Sequence, residues 1–183
     1  MQDNGKLDQA IGLVADVGGT NTRLAFVDGD GVIADTVVKC PNADFGSFLD
    51  LATNYLDGRS VPSHVVIAVA GPVAGDKAKL TNRNWDFDAG ALAAAFGADE
   101  VDLMNDLEAL GQAVPTVAEV AVEPLHDGAS LGGSGQALVV GLGTGFNVSA
   151  VNMESGTVFT SEQGHASLPS SVMSILQDRI PDT

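Results

Sequence analysis

The chain has 183 residues, a formal net charge of −16 and only eight lysine and arginine residues, so it lacks the basic patch that nucleic-acid binding normally requires and would be repelled by anionic membranes. Its single cysteine, Cys40, allows no intrachain disulfide, its N-terminus lacks the basic-then-apolar order of a signal peptide, and none of its apolar runs approaches the ~20 residues of a membrane span. These features favour a globular cytoplasmic protein of one domain or two small ones, with neither a nucleic acid nor a membrane as its partner.

The first part of the chain predicts three antiparallel strands followed by a helix. A polar tail over residues 1–10 precedes them, and the Asp-Gly turn at residues 28–31 favours a hairpin between the second strand and the third. Apolar residues at helical spacing then predict a helix with Asn42 or Asp44 as its N-cap. The strands are predicted over residues 11–17, 22–28 and 32–40, and the helix over 43–56.

Strands and helices alternate over the next part of the chain, which indicates a mixed sheet with helices on its faces. The second helix has Asp88 as its N-cap and Gly97 as its stop, and Pro115 ends the third helix. Strands are predicted over residues 64–71 and 100–105, and helices over 86–97 and 106–114.

The same plan begins again after a connection over residues 116–135, which becomes rich in glycine and serine. Three strands and a helix are predicted over residues 137–143, 146–153, 157–162 and 170–180. We therefore divide the chain into a flexible tail over residues 1–10, a small α/β domain over 11–116, and a linker with the incomplete beginning of a large α/β domain over 117–183.

A glycine-rich turn follows the first strand in the stretch VADVGGTNTR. Asp16 stands at the carboxyl end of that strand, where ligands bind in α/β sheets. Gly18 and Gly19 can adopt positive φ, and the N–H groups from Gly18 to Asn21 could form an anion-binding nest. A plain hairpin turn with a capping aspartate explains the same residues. An unpaired carboxylate in a buried strand is costly, and this favours the functional interpretation.

A second glycine-rich turn, GLGTGF at residues 141–146, lies between two strands of the second set. It is not a dinucleotide-binding fingerprint, because Phe146 stands where the last glycine would be and no helix follows. It is not a phosphate-binding P-loop either, because the sequence contains no GxxxxGK[ST] pattern. The two turns together suggest two glycine-threonine hairpins that face each other across a cleft.

Polar residues with catalytic potential follow two other strands. Asn105 and Asp106 stand at a strand-to-helix junction, where Asp106 could serve as a general base or simply cap its helix. Glu162 and His165 form a Glu-x-x-His pair that could be half of a metal site or a set of ligands for hydroxyl groups. The sequence has no HExxH motif of zinc proteases, and GGSGQ at residues 132–136 lacks the second glycine of the GxSxG motif of serine hydrolases.

Five segments in chain order resemble the bacterial glucokinases, which belong to the actin-like, ribonuclease-H-like ATPase superfamily. They are LVADVGGTNTRLAF, AVAGPVAGDKAKLTNRNWDFD, LMNDLEALGQAVP, GLGTGFNVSAV and SEQGHASLP. The resemblance runs from about residue 12 to residue 170. It implies a ribonuclease-H-like mixed sheet with flanking helices, followed by the start of a second similar domain. It also implies the ATP-dependent phosphorylation of glucose to glucose 6-phosphate, a reaction of glycolysis.

The resemblance assigns a role to each candidate residue. Asp16 would hold Mg²⁺ through water, and Asp106 would be the catalytic base. The residues expected to bind the phosphates of ATP are Gly18, Gly19, Thr20, Asn21, Gly143, Thr144 and Gly145. The residues expected to bind glucose are Asn105, Asp106, Glu162 and His165.

The sequence departs from the family pattern in two respects. The family usually has glycine at the positions of Asn147, Ser161 and Gln163. Family members also run well past residue 183, so the resemblance implies a truncated form with reduced or no activity. An unfinished second unit would expose apolar surface and could form a homodimer.

Three other functions fit the same sequence features. The chain could be another sugar kinase of the superfamily, such as one for an amino sugar. It could be a non-catalytic sugar-binding or regulatory module, although only about ten polar residues precede the first strand, where such regulators carry a helix-turn-helix. A metal-dependent nuclease on the same fold would need further carboxylates beside Asp16 and Asp106, and the acidic charge argues against it.

Overall fold

The computed structural model describes residues 11–59, 62–117, 135–142 and 146–161, together with residue 123. The chain divides into two compact units, Met1–Leu110 and Gly111–Thr183. The predicted boundary between residues 116 and 117 stays a prediction, and the predicted helix over residues 170–180 lies outside the described residues.

The first unit is built on a mixed six-stranded sheet. Its strands lie in the order β3-β2-β1-β5-β9, and β4 also pairs with β2. Strand β1 runs antiparallel to β2 and parallel to β5, which is parallel to β9. The strands of this sheet are β1 (Gly12–Val17), β2 (Asn21–Asp28), β3 (Gly31–Val32), β4 (Val38–Pro41), β5 (His64–Val69) and β9 (Glu100–Asn105). The carboxyl ends of β1, β5 and β9 therefore meet at one edge of the sheet.

A smaller antiparallel sheet lies between β5 and β9 in the chain, and the sequence analysis did not predict it. It consists of β6 (Val73–Ala74), β7 (Lys77–Lys79) and β8 (Asp86–Asp88). Its strands have only two or three residues, which is too short for a period-two pattern to stand out. Phe87 and Leu80 from this region are buried and join the core of the first unit.

Alternating apolar side chains of the central strands form that core. Leu13, Ala15 and Val17 of β1 are buried, and the equivalent side chains of β5 are too. One face of the first helix packs in the same cluster through Leu51 and Tyr55. The helices are α1 (Phe48–Leu56), α2 (Ala89–Phe96) and α3 (Asp106–Ala113). This core holds the strand ends that carry the candidate site.

The predicted third strand over residues 32–40 is wrong as a single element, because a 3-10 turn at Ala34–Thr36 divides it into β3 and β4. The hydroxyl of Thr36 is buried, donates to the Ile33 carbonyl at 2.6 Å, and accepts from the Phe26 N–H at 2.9 Å. A side chain thus replaces a strand partner at this point, as local polar side chains can do.

The predicted N-cap of the first helix is also wrong. Ser47 caps α1 by accepting from the N–H of Asp50, whereas Asn42–Asp44 forms a separate 3-10 turn. The caps predicted for the second helix are confirmed: Asp88 accepts from the N–H of Ala91, and Gly97 is left-handed with φ of 70°. Pro115 lies in the 3-10 turn that directly follows α3.

The described part of the second unit contains an antiparallel meander. Its strands are β10 (Gln136–Leu142), β11 (Phe146–Asn152) and β12 (Val158–Ser161), close to the predicted ranges. Val151 is buried, while Leu138 and Phe159 are 62% and 64% exposed. Both stand opposite Ala150 in the pairing register, so they form one exposed apolar row across the sheet. In the parts of the chain that the structure describes, we find no helix long and apolar enough to cross a membrane.

Candidate functional site

The parallel strands bring two of the predicted site segments to one edge of the sheet. Asp16 is the penultimate residue of β1, Asn105 is the last residue of β9, and Asp106 begins α3. The register aligns Asp16 with Ala68 of β5, and Ala68 with Met104 of β9. Two strand spacings separate β1 from β9, which is roughly 10 Å. Asp16, the metal-binding candidate, and Asp106, the candidate base, are distant in sequence but therefore lie at the same edge of the sheet.

The sequence analysis took Asp16 to be a buried and unpaired carboxylate, and it is neither. Its side chain is 49% exposed, and Oδ2 accepts from Nη1 of Arg23 at 2.7 Å. Arg23 stands directly opposite Asp16 in the ladder between β1 and β2. The cost of an unpaired buried carboxylate therefore gives no argument for function here. The functional interpretation of Asp16 rests instead on its position at the sheet edge.

The glycines of the turn after β1 are required for space and not for their φ angles. The expectation of positive φ at Gly18 and Gly19 is wrong, because neither is among the positive-φ residues of the described chain. A β-carbon on Gly18 would lie 3.2 Å from the carbonyl oxygen of Asn21, and one on Gly19 would lie 3.2 Å from Nδ2 of Asn82. Both contacts are tight, so larger residues would displace this loop or its neighbours.

The N–H groups of the same loop are only partly available to a ligand. The N–H of Gly18 donates to the carbonyl oxygen of Asn21 at 3.0 Å. Within the described residues, the N–H groups of Gly19 and Thr20 have no acceptor. Such N–H groups are suited to an anion, because each is a full hydrogen-bond donor and adds no competing charge.

Asn42 is a component of this site that the sequence analysis missed, because its position before an apolar helix favoured a cap. It is fully buried, at 0% exposure. Its Nδ2 donates to the carbonyl oxygen of Gly18 at 2.8 Å, and its backbone N–H donates to the carbonyl oxygen of Thr20 at 2.9 Å. Its Oδ1 accepts from the hydroxyl of Thr22, also at 2.8 Å. No local sequence signal announces these contacts, since Gly18 precedes Asn42 by 24 residues.

The segment after β7 contacts both this loop and Asn42. Nη1 of Arg83 donates to the carbonyl oxygen of Asn42 at 2.8 Å, and its guanidinium lies 5.3 Å from the ring centre of the buried Trp85. Asn82, the preceding residue, contacts the space above Gly19. Three segments that are distant in sequence therefore meet at the turn after β1.

Asn105 and Asp106 are held in fixed orientations at the start of α3. Nδ2 of Asn105 donates to the carbonyl oxygen of Gly71 at 3.1 Å, and Oδ1 of Asn105 accepts from the N–H of Leu107 at 3.0 Å. Oδ1 of Asp106 accepts from the same N–H at 2.9 Å. Asn105 thus caps α3, because it accepts from the N–H of the second helical residue, whereas Asp106 is the first residue of the helix, where its charge favours the helix dipole. Both roles are compatible with binding, because carboxylate and amide groups can each make several hydrogen bonds.

The other predicted site residues lie outside the described residues: Gly143, Thr144, Gly145, Glu162 and His165. Among the residues that are described, no group of three or more histidine, cysteine, aspartate or glutamate side chains could hold a metal ion. Asp16 nevertheless fits Mg²⁺ bound through water, because Mg²⁺ keeps several waters and commonly uses only one or two carboxylates. Its accessible carboxylate has one oxygen engaged by Arg23.

Comparisons with known proteins give consistent results. The family model Glucokinase matches residues 13–177. The chain is 32% identical over 163 residues to a glucokinase from Saccharophagus degradans, covering 85% of this chain and 50% of that protein. It is 34% identical over 170 residues to a glucokinase from Nitrobacter hamburgensis, covering 90% of this chain and 52% of that protein. The chain thus spans about half the length of these curated relatives.

Solved structures show the same likeness. A glucokinase from an Antarctic psychrotroph superposes with a TM-score of 0.73 at 30% identity, covering 92% of this chain and 57% of that one. A ROK family glucokinase from Streptomyces griseus, solved with glucose and AMPPNP, gives a TM-score of 0.58 at 18% identity, covering 87% and 51%. The mixed sheet with its flanking helices is therefore the fold of the glucokinase and ROK-type, actin-like ATPases. Because the family model matches most of its residues, this chain belongs to the glucokinase family.

Proposed function

We propose that this chain provides the sugar-binding residues and the first phosphate loop of an enzyme that uses ATP to phosphorylate glucose at its 6-hydroxyl. One observation carries the proposal: Asp106 begins α3 at the same sheet edge at which Asp16 and the turn after β1 lie. A base and a phosphate-binding loop must lie near each other for a hydroxyl to attack a phosphorus atom in line.

Asp106 is the proposed base. A carboxylate within hydrogen-bond reach of the 6-hydroxyl can accept its proton as the oxygen attacks. Asn105 beside it orients the sugar, and its own orientation is fixed by Gly71 and Leu107. Glu162 and His165 complete the proposed set, because carboxylate and imidazole groups both bind sugar hydroxyls.

The turn after β1 and Asp16 are proposed to bind the nucleotide. Bound ATP supplies the phosphoryl group, and Mg²⁺ neutralises charge on its phosphates. The N–H groups of Gly19 and Thr20 are suited to phosphate oxygens, and Asp16 would hold the waters of the metal. The turn at Gly143, Thr144 and Gly145 is the proposed second phosphate loop.

We also propose the compartment, the pathway and the partners of this activity. A cytoplasmic role in glycolysis and carbohydrate metabolism follows from the proposed reaction, with glucose and ATP as partners and no nucleic acid or membrane. The exposed row of Leu138 and Phe159 supports a homodimer, because apolar surface of this kind is commonly covered by a partner.

Glucose binding and glucose-dependent ADP release by the whole chain test the proposal. We expect saturable glucose binding in calorimetry that Asp106→Asn weakens, together with a loss of at least about 100-fold in any ADP release. Asp102→Asn is the matched control, because Asp102 is an exposed aspartate of the same strand, β9, and should behave as the wild type.

The other outcomes of these assays distinguish the proposed function from its alternatives. Absence of glucose binding, or ADP release that Asp106→Asn leaves undiminished, would overturn the proposal. Preference for an amino sugar in the same assay would indicate another sugar kinase. Glucose binding without ADP release would fit either a glucokinase chain with no activity of its own or a non-catalytic binding module.

A further inference from the structure

We propose that Asn42 is a positioning residue that sets the direction of the N–H groups in the turn after β1, an inference that rests on the proposed role of that turn in phosphate binding. Asn42 does not belong to the glycine-rich stretch itself and lies on a different segment, between β4 and α1. It is one of four buried polar residues found in the described part of the chain.

Among the described residues, the turn after β1 lacks one hydrogen bond that such turns usually make. A tight turn over residues 18–21 is normally closed by a bond from the N–H of its fourth residue to the carbonyl oxygen of its first. Among the described residues here, the N–H of Asn21 does not donate to Gly18. The Gly18 oxygen instead accepts from Nδ2 of Asn42 at 2.8 Å. The turn keeps the bond from the Gly18 N–H to the Asn21 carbonyl oxygen, but the bond from Asn42 stands in place of its other backbone bond.

The planar peptide group links the direction of each carbonyl in the turn to that of the N–H that follows it. In a planar trans peptide, the carbonyl group and the N–H of the next residue point in opposite directions. Nδ2 of Asn42 draws the Gly18 carbonyl inward, so the N–H of Gly19 points away from Asn42. The backbone N–H of Asn42 draws the Thr20 carbonyl inward in the same way, at 2.9 Å, so the N–H of Asn21 points away too.

The side chain of Asn42 is itself held in one orientation. Its Oδ1 accepts from the hydroxyl of Thr22, which is also fully buried, and this fixes which end of the amide faces Gly18. Its carbonyl oxygen accepts from Arg83. A buried amide whose donor and acceptor are both satisfied has one favourable orientation, because any other leaves polar groups without partners. The direction of the Gly19 N–H is therefore built into the fold before any ligand arrives.

Amide hydrogen exchange of the free protein tests the geometry without a ligand. In Asn42→Ala the Gly18 oxygen loses its donor, and we expect the N–H of Asn21 to take that place, which adds a second backbone bond between Gly18 and Asn21. Exchange at the Asn21 amide should then slow by about fivefold to tenfold, as for an ordinary hydrogen bond. An Asn21 amide that exchanges at the wild-type rate would overturn the proposal.

Binding of MgATP and glucose separates positioning from a general loss of structure. We expect Asn42→Ala to raise the Kd for MgATP about tenfold, which corresponds to about 1.4 kcal/mol, and to leave the Kd for glucose unchanged. Asn54→Ala is the matched control, because Asn54 is an exposed asparagine of α1. Equal weakening of both ligands would mean that Asn42 acts only on stability, and would contradict the proposal.

Two measurements on the wild type cover the remaining outcomes. If Asn42→Ala does not fold, the side-chain amide hydrogens of Asn42 decide: one should exchange more slowly than those of Asn54, and equal rates would overturn the proposal. If the amides of residues 18–21 do not respond to MgATP, the proposed phosphate-binding function fails, and the ligand role of Asn42 fails with it. Slowed exchange at Asn21 would in that case still support its control of the turn.

Discussion

The guanidinium of Arg23 and the carboxylate of Asp16 face each other across the ladder between β1 and β2, with Nη1 of Arg23 2.7 Å from Oδ2 of Asp16. The positive charge of Arg23 thus lies beside the one carboxylate that is proposed to hold Mg²⁺ through water. The arginine and a divalent cation would compete for the same negative charge. If Asp16 has the proposed role, the pair would therefore restrain metal binding while the protein is free of nucleotide.

Arg23→Gln should strengthen divalent-metal binding. A unit charge about 4 Å away in water contributes about 1 kcal/mol, so we expect Mg²⁺ affinity to rise about fivefold. The free energy of unfolding should change by no more than about 1 kcal/mol, because the pair is exposed. Titration with Mn²⁺, followed by broadening of the Asp16 amide resonance, measures the effect. Lys77→Gln, in the smaller sheet, is the control, and unchanged affinity in Arg23→Gln would contradict the prediction.

Gly71→Ala should destabilise the first unit and disturb Asn105. A β-carbon on Gly71 would overlap the backbone carbonyl oxygen of Lys79, which cannot move away as a flexible side chain could. We expect a loss of about 2–3 kcal/mol in urea denaturation, as for overpacking elsewhere. Because Asn105 donates to the Gly71 carbonyl, its side-chain amide resonances should shift as well. Gly29→Ala, where a β-carbon meets open space, should leave stability nearly unchanged.

Tyr55 should titrate above its ordinary pKa of 10.0. Burial raises the pKa of this hydroxyl, and its hydrogen bond with Thr36 and the charge of Arg59 only partly oppose that rise. It is the sole tyrosine in the sequence, so tyrosinate absorbance reports it directly. The folded state keeps this proton at a higher pH than the unfolded chain, and the free energy of unfolding should therefore decline as pH rises past 10.0. A folded protein that titrates like its urea-unfolded form would show the prediction to be wrong.

Cys40 should react slowly with thiol reagents at neutral pH. Burial raises the pKa of its thiol, and the negative charge of Asp44 raises it further. Less thiolate is then present at a given pH, and the thiolate is the reactive form. Asp44→Asn should speed the reaction, while Asp99→Asn, an exposed aspartate in another part of the unit, should not. A rate equal to that of an unfolded chain, or one that Asp44→Asn does not change, would refute this account.

Most strands of the sheet could be predicted because burial leaves a direct mark on sequence. β1, β5 and β9 were each predicted within two residues, since a strand in the core reads as an apolar run. The caps at Asp88 and Gly97 could also be predicted, because the free backbone groups at a helix end are satisfied by residues next to it in sequence.

The errors fall where a distant segment decides local structure. Asn42 has the composition and position of a helix cap, yet it is buried against Gly18 and Thr22. Gly18 and Gly19 suggested unusual φ angles, yet what they provide is space beside Asn21 and Asn82. Asp16 looked unpaired because Arg23 becomes its neighbour only once the hairpin has formed. No window of adjacent residues contains these contacts.

The hydrogen bond from Arg83 to Asn42 also has a consequence for the order in which the protein matures during synthesis. It joins residues 41 positions apart, and Asn42 in turn holds Gly18, a further 24 positions back. Contacts between distant residues form late, because the intervening chain must first be closed into a loop. A nascent chain that has not yet reached Arg83 can pair β1 with β2, but it still lacks the hydrogen bond from Arg83 to Asn42, the residue that holds the turn between these strands.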